Sequence, residues 1–404
     1  MTIEIRFVGE DEHEPLIKSV SQGFGTLMDD DDILAAFKRP LNIGRSIAGY
    51  DGGDIVGGFT VFPLDMNVPE GKQVRTAVVS NVAVLPTHRR RGILTRMMDC
   101  QMRAAYERGE SVAILGASES IIYGRYGYGI AAQHERWGID RVHTAMQFAP
   151  TPTGSLRFIN MDGDKKGTQS TLMDVATRAC ADRPAFVPLR EEHWGFFMAD
   201  LELERNGASA MNFVLYEEDG QANGYVIYRL RERTVIVIDL MAVTETAYTA
   251  LWQFCFGIDL RNRIESHSRP VDDPLPWMLA DPRRLERAPY DGMWLRVVDA
   301  PAALEARDYA VEGRVVFDVV DDFCTWNSGR FALEVGQGGA TCKPTTAAPD
   351  VALPAASLAA IYMGGVELSV LARASRAEVA SPCVAHKVDA MFKTRLRAWW
   401  PHEL

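Results

Sequence analysis

The sequence is poor in the features that mark three large classes of protein. Its six cysteines, Cys100, Cys180, Cys255, Cys324, Cys342 and Cys383, form no CxxC pair and lie far apart. Neither a zinc site nor a disulfide framework is suggested, and a reducing cytoplasm is the simplest setting. Positive charge is in deficit: 43 Lys and Arg face 54 Asp and Glu, a formal net charge of -11. That balance argues against a nucleic-acid binder and leans toward cationic small molecules or basic protein surfaces as partners. No apolar run reaches the roughly 18 residues of a membrane span, and MTIEIRFVGEDEHEP carries acids where a secretory leader needs basic and then apolar residues. No membrane partner is expected. The histidines are scattered without ligand spacing, and no metal is implied.

What remains is an ordinary globular balance, 47% apolar and 24% charged over 404 residues, enough for about three compact units. Residues 1–148 read as mixed α and β. EPLIKSVSQGF and DDDDILAAFKR have helical spacing, IVGGFTVFPLDMNV and AVVSNVAVLP are strand-like, GILTRMMDCQMRAAYERG is helical again and SVAILGAS is a strand. A Pro, Thr and Gly-rich stretch from Pro150 to Gly154 suits a boundary, and residues 149–290 form the second expected unit. There MNFVLYEEDGQANGYVIYRL reads as a hairpin, and TVIVIDLMAVTETAYTALWQFCFGID runs from strand into helix. Ala242-Val243 aligns with Ala83-Val84, but TAYT replaces RRRG, so the second unit reads as a repeat of the first that lost its charged loop. Residues 291–404 form the third, with strands around an NSG turn, a loop from Gly336 to Pro349, and helical and turn signals up to KVDAMFKTRLRAWWPHEL.

The most informative stretch is NVAVLPTHRRRGILTRMM. A strand that turns at a glycine and opens a helix gathers unpaired backbone N–H groups at the positive end of a helix dipole, which makes an anion site. Arg89, Arg90 and Arg91 add charge, and Gly92 lets the backbone approach closely. A pyrophosphate suits that donor density. The preceding Val82, Ala83 and Val84 offer alternating backbone donors and acceptors to an extended amide ligand such as pantetheine, so one segment would hold both ends of coenzyme A. A solvated basic turn before an ordinary helix is the plainer alternative. His88 lies in the same loop, where it either touches a phosphate or serves as a capping or solvated histidine.

VAVLPTHRRRGIL resembles the acetyl-CoA-binding motif of GNAT acetyltransferases, with Leu94 in a place that usually holds glycine or alanine. Together with SESIIYGRYGYG, DPLPWML and DGMWLRVVDAPAALEARDYA, it is similar over the whole chain to the enhanced intracellular survival (Eis) family. The resemblance implies a mixed α/β architecture: two tandem GNAT-like domains, the second without a cofactor site, and a C-terminal sterol-carrier-protein-like α/β domain. It also implies a homohexamer and the acetylation, by acetyl-CoA, of amines on polycationic small molecules such as aminoglycosides.

Transfer from a thioester to an amine needs a neutral amine, a stabilised oxyanion and a proton for the leaving thiolate. An alkyl amine of pKa about 10.4 is neutral only about once in 2,500 molecules at pH 7, so a base is useful. Tyr123, Tyr126 and Tyr128 follow the strand SVAILG closely, and their order alone does not choose among them; a packed turn is the plainer reading of each. The resemblance assigns Tyr123 as general acid and the terminal carboxylate, here of Leu404, as base. It also places Arg90, Arg91, Gly92, Ile93, Leu94, Thr95, Ser118 and Glu119 near the cofactor, and Phe24 and Glu403 near the substrate. A frayed tail is the usual fate of a terminus, but adjacent Trp399 and Trp400 argue that this one is tied down. The run Asp29 to Asp32 either holds a cation or starts a helix facing water. A protein-lysine acceptor, an apolar-ligand carrier lined by AASLAAIYMGGVELSVLA and a purely regulatory coenzyme A site stand as alternatives.

Overall fold

The computed structural model describes residues 3–28, 30–41, 44–160 and 163–404. Asp29 of the acidic run lies outside the described residues. The chain divides into two compact units: one runs to Ala132 and takes in Asp182–Val187 and Asp291–Leu404, and the other comprises Gln133–Ala181 and Pro188–Tyr290.

The first unit begins with β1 (Glu4–Phe7), α1 (His13–Gly23), α2 (Asp31–Leu41), β2 (Arg45–Asp51), β3 (Asp54–Asn67), β4 (Gln73–Val84), α3 (Ile93–Glu107), β5 (Val112–Leu115), α4 (Ser120–Tyr123) and the start of β6 (Gly129–Asp140). β1 to β4 pair as an antiparallel meander, and β5 joins β4 in parallel after the α3 crossover. The apolar stripe of α3, Ile93, Met97, Met98 and Met102, packs into one cluster with Phe59, Val61 and Val79 of the sheet. The four-residue steps from Ile93 to Met97 and from Met98 to Met102 bring those side chains to the same side of the helix. The acidic run does start a helix facing water. Asp30 Oδ1 accepts from the N–H groups of Asp32 and Ile33 at 2.9 and 3.1 Å, and Asp31 and Asp32 are exposed.

The second unit holds the rest of β6, then β7 (Ser155–Phe158), α5 (Lys165–Ala179), α6 (Glu191–Phe197), β8 (Asn212–Glu218), β9 (Gln221–Arg231), β10 (Thr234–Ala242), α7 (Glu245–Gly257), β11 (Arg263–Pro270), α8 (Leu275–Met278) and the start of β12 (Glu286–Val297). β8 and β9 form the expected hairpin, closed by Asp219 and Gly220 at φ 52° and 76°, the paired positive values of a turn that follows strand twist. β10 pairs antiparallel with β9 and parallel with β11 across the α7 crossover, which repeats the arrangement around β4.

The first unit resumes through the end of β12 into α9 (Ala300–Ala306), β13 (Gly313–Val320), β14 (Gly329–Gly336), β15 (Gly339–Pro344), β16 (Val351–Pro354), α10 (Ala355–Tyr362), α11 (Leu368–Arg373), β17 (Glu378–Val379) and α12 (Pro382–Phe392). Five strands form a sheet in the order β15-β14-β13-β16-β17. β15 corrects the expectation of a loop between Gly336 and Pro349. Its GATCKP sequence has little strand propensity, but an edge strand is held by backbone pairing, here with β14 from Phe331 to Gly336. Every residue of α10 is buried.

Arg307 lies inside this C-terminal sheet-and-helix layer with no exposure. Its guanidinium donates to the carbonyls of Asp308 and Phe392 at 3.1 Å each and to that of Tyr362, and its Cζ lies 4.5 and 4.6 Å from the rings of Phe392 and Tyr309. The tail is tied down as Trp399 and Trp400 suggested. Both are buried, and Trp399 N–H donates to Pro184 O at 2.9 Å. Asp182–Val187 is anchored to β3 by the exchange of N–H and C=O between Asn67 and the pair Ala185 and Phe186. Among the described residues, no helix is long and apolar enough to cross a membrane, and no group of three or more His, Cys, Asp or Glu is placed to hold a metal ion.

Candidate active site

The site grows from the way two parallel strands part. The β4–β5 ladder ends at Val78–Ile114, although β4 runs on to Val84. On the other edge, Gly58 faces Ala83 and Thr60 faces Ser80, so Asn81 and Val82 together stand opposite Phe59. That is a β-bulge, and Asn81 takes it up with a φ of 58°. A bulge bends its strand, and the bend carries Val82, Ala83 and Val84 away from β5, freeing one edge of backbone donors and acceptors for an extended ligand. Ala83 is buried beneath α1, where a Cβ on Gly23 would fall 2.8 Å from the Ala83 Cβ.

Beyond Val84 the three arginines separate. Arg90 sits at φ 63° and Gly92 at φ 75°. Alternating left-handed residues of this kind curl successive N–H groups toward one point. The first intrahelical bond of α3 is Arg96 N–H to Gly92 O at 3.1 Å, so the N–H groups of Ile93, Leu94 and Thr95 point out of the helix end. Arg90, Arg91, Gly92 and Thr95 are exposed around them. Arg89 departs from the expectation that all three arginines surround the anion. It donates to Val84 O at 3.1 Å and Gly23 O at 2.9 Å, so it ties the end of β4 to the end of α1. His88 Nδ1 lies 2.8 Å from Thr87 Oγ1 and its Nε2 3.3 Å from Asp51 Oδ2.

The tyrosine turn resolves into three different environments. Tyr126 OH lies 3.2 Å from Thr95 Oγ1, and its ring packs edge-on against Phe323 at 5.1 Å. Tyr128 has no exposure and sits edge-on to Tyr123 with centroids 5.9 Å apart. Tyr123 is 3% exposed, and its hydroxyl has no hydrogen bond among the described residues, yet it is not among the sealed-off polar atoms. Burial pushes its phenol up to about 12, with a smaller contribution from Tyr126, so it stays protonated at neutral pH. Ser118 and Glu119 are exposed in the turn between β5 and α4, and Phe24 is 55% exposed just past α1. The tail reaches the same turn: Glu403 Oε2 lies 3.2 Å from where a Cβ on Gly116 would stand, with Leu404 half-buried next to it.

This geometry agrees with comparisons to known proteins. Residues 4–131 and 189–297 each match the acetyltransferase (GNAT) domain, and residues 300–401 match the sterol carrier protein domain. An uncharacterized N-acetyltransferase of Streptomyces avermitilis is 34% identical over the full length of both chains, and the N-acetyltransferase Eis of Mycobacterium tuberculosis is 35% identical over 84% of each. The crystal structure of Eis1 from Mycobacterium abscessus superposes over all of both chains with a TM-score of 0.85 at 31% identity. The chain belongs to the Eis family of GNAT N-acetyltransferases.

GNAT enzymes use acetyl-CoA as co-substrate, and the parted strand edge with the N–H cluster behind Gly92 fits that ligand's two ends. The second GNAT domain of this Eis-family chain closes the equivalent helix end. Thr244 caps α7, its Oγ1 accepting from Ala247 N–H at 3.2 Å, and Glu245 occupies the first turn. Sequence reasoning did not foresee the tether by Arg89, nor the buried Arg296 and Asp321 beside the tyrosine turn. For the bulge, a signal existed: an asparagine inside the strand pattern VVSNVAV.

Proposed function

We propose that this protein transfers the acetyl group of acetyl-CoA to a primary amine of a polycationic small molecule, aminoglycosides being the class to test first, within a ternary complex. The observation that carries the reading is the convergence at the end of β5, where the tail's Glu403 meets Gly116 two residues before Ser118 and on the way to Tyr123. In this reading Val82, Ala83 and Val84 pair with the pantetheine amides, while Arg90, Arg91 and the N–H groups from Gly92 to Thr95 hold the pyrophosphate. Ser118 and Glu119 flank the thioester arm. Phe24 and Glu403 meet the amine substrate, an acidic side chain suiting a polycation, and the carboxylate of Leu404 takes the amine proton.

Tyr123 donates its O–H to the departing sulfur. A phenol held near 12 is a weak acid against a thiol of about 8.5 in water, so its first contribution is a hydrogen bond to developing thiolate charge. The burial that raises the phenol also raises the sulfur, which narrows the gap and brings proton transfer within reach.

The assay is coenzyme A thiol release with aminoglycosides, polyamines and lysine peptides as acceptors, comparing wild type with Tyr123→Phe. Release with aminoglycosides that collapses in the variant supports the reading; release only with lysine peptides overturns the substrate class, and none with any acceptor overturns the transfer. Arg307 weighs against an apolar-ligand carrier, since a guanidinium and its carbonyls fill part of the interior such a ligand would need. A homohexamer in the cytoplasm goes with this proposal through the family, and light scattering tests the assembly.

A further inference from the structure

Arg296, on β12, is fully buried, and so is Asp321 just past β13; Nη2 of the arginine donates to Oδ2 of the aspartate at 2.5 Å. A charge this deep is costly to desolvate; Cys324 lies beside it as well as Asp321, and Nε and Nη1 of the guanidinium are buried with no hydrogen bond to nitrogen or oxygen among the described residues. Packing gives the pair a purpose. The guanidinium fills the space above Gly127: a Cβ there would overlap Nη1 and lie 2.7 Å from Cζ. Gly127 closes the turn that follows Tyr123, at φ 81° with its N–H on Gly124 O at 3.1 Å.

Asp321 is itself held from several sides. Its Oδ1 accepts from Cys324 N–H at 2.9 Å, its Oδ2 from Asn327 Nδ2 at 3.2 Å, and its N–H donates to Ser328 Oγ at 2.8 Å. The same loop sets Phe323 against the Tyr126 ring and Trp326 Nε1 on Val298 O at 3.0 Å. A loop of the sterol-carrier-like domain is thereby packed against the turn of the GNAT domain that carries Tyr123.

The geometry points to the Arg296–Asp321 pair as a positioning device through which the C-terminal domain fixes the Tyr123 hydroxyl at the thioester. This rests on the reading of Tyr123 as the group that serves the leaving sulfur. It gives the C-terminal domain a second part in the reaction besides delivering the tail. Arg296 and Asp321 touch no reacting atom; they act through the backbone of the turn.

The test is a double-mutant cycle on the full chain with Asp321→Asn, Tyr123→Phe and their combination, alongside Arg296→Lys. Asp321→Asn should lower kcat about tenfold or more, within the 100-fold that a positioned acid supplies, with acetyl-CoA affinity unchanged. In the Tyr123→Phe background the same change should cost nothing further, because the hydroxyl it positions is gone. Arg296→Lys, which keeps the charge, should retain more kcat than Asp321→Asn. An unchanged kcat in Asp321→Asn, or an equal additional loss in the double variant, would overturn the proposal. Carbon-13 tyrosine spectra, with the Tyr123 signal assigned by its loss in Tyr123→Phe, read the position without turnover. A signal that moves in Asp321→Asn supports the device even if wild type acetylates no amine tried, in which case only the transferase reading fails; an unmoved signal overturns the device.

Discussion

Replacing Gly92 by alanine isolates the anion site from everything else in the loop. A Cβ at this position meets nothing within 4 Å, so the substitution brings no clash, and its whole effect is the left-handed φ of 75° forced on an L residue. That strain is worth roughly 1–2 kcal/mol. It can be expressed in two ways whose sum is fixed. If the variant loop keeps its conformation, the protein loses that much stability and binds acetyl-CoA normally; if the loop relaxes, stability survives and affinity falls by about 5- to 30-fold, at 1.4 kcal/mol per tenfold. In both cases the acetyl-CoA-bound protein is destabilised by the full amount relative to bound wild type, which calorimetric titration and thermal melts with and without ligand measure together. Gly109 is the matched control. It follows the other end of α3 at φ 69°, again with nothing within 4 Å, so Gly109→Ala should cost similar stability and leave acetyl-CoA affinity alone. The reasoning is refuted if Gly92→Ala matches wild type in both affinity and bound-state stability, or if Gly109→Ala weakens acetyl-CoA equally.

Three further outcomes are expected. Arg90→Ala and Arg91→Ala should each weaken acetyl-CoA about fivefold with kcat spared, and the loss should shrink as ionic strength rises, because exposed charges are screened; titrations at low and high salt check both points. Removing Glu403 and Leu404 should lower kcat about 100-fold, the contribution of a positioned base, while acetyl-CoA still binds, as separate kinetic and binding measurements would show. His134 is wholly buried, and burial pulls its imidazole down to about 4, so the folded state holds it neutral where the unfolded chain at about 6.5 would bind a proton. Its protonation linkage therefore costs nothing above pH 6.5 and destabilises the fold progressively, by up to roughly 3 kcal/mol, as pH falls toward 4, a slope that denaturant melts should record and that His134→Gln should flatten.

The strand-to-helix step was legible because two independent signals coincide there: the apolar spacing of Ile93, Met97, Met98 and Met102, and a glycine at the left-handed position that opens the helix. The repeat was legible for the same reason, since β10 and α7 carry the pattern of β4 and α3 without the basic loop. Direction was not. Three adjacent arginines are equivalent on paper, and the folded loop separates them, Arg89 donating to two carbonyls while Arg90 takes a left-handed backbone. Nor does the choice among the three tyrosines exist in the sequence. What separates them is tertiary: Thr95 engages Tyr126 and Tyr128 is completely buried, contacts between residues tens of positions apart. Arg296 and Asp321 look like surface residues because charge usually is surface, and β15 looks like a loop because edge pairing needs backbone more than side chains.

We infer that only the first of the two GNAT folds binds the co-substrate, on electrostatic grounds that the helix ends supply. Both ladders between the parallel strands stop short, at Val78–Ile114 in the first domain and Val237–Ser266 in the second, so the parting of the strands belongs to the fold and not to one domain. What differs is the first turn of the following helix. In the first domain its N–H groups face outward next to exposed Arg90 and Arg91; in the second, Thr244 takes one N–H for its own side chain and Glu245 adds an exposed acidic residue to the first turn. An anion there would trade donors for repulsion. Thr244→Gly with Glu245→Ala would remove both obstacles but add no cation, so the double variant should still bind acetyl-CoA with one-to-one stoichiometry by calorimetry. A second equivalent bound would mean that the basic loop is dispensable, and the role assigned to Arg90 and Arg91 would fall with it.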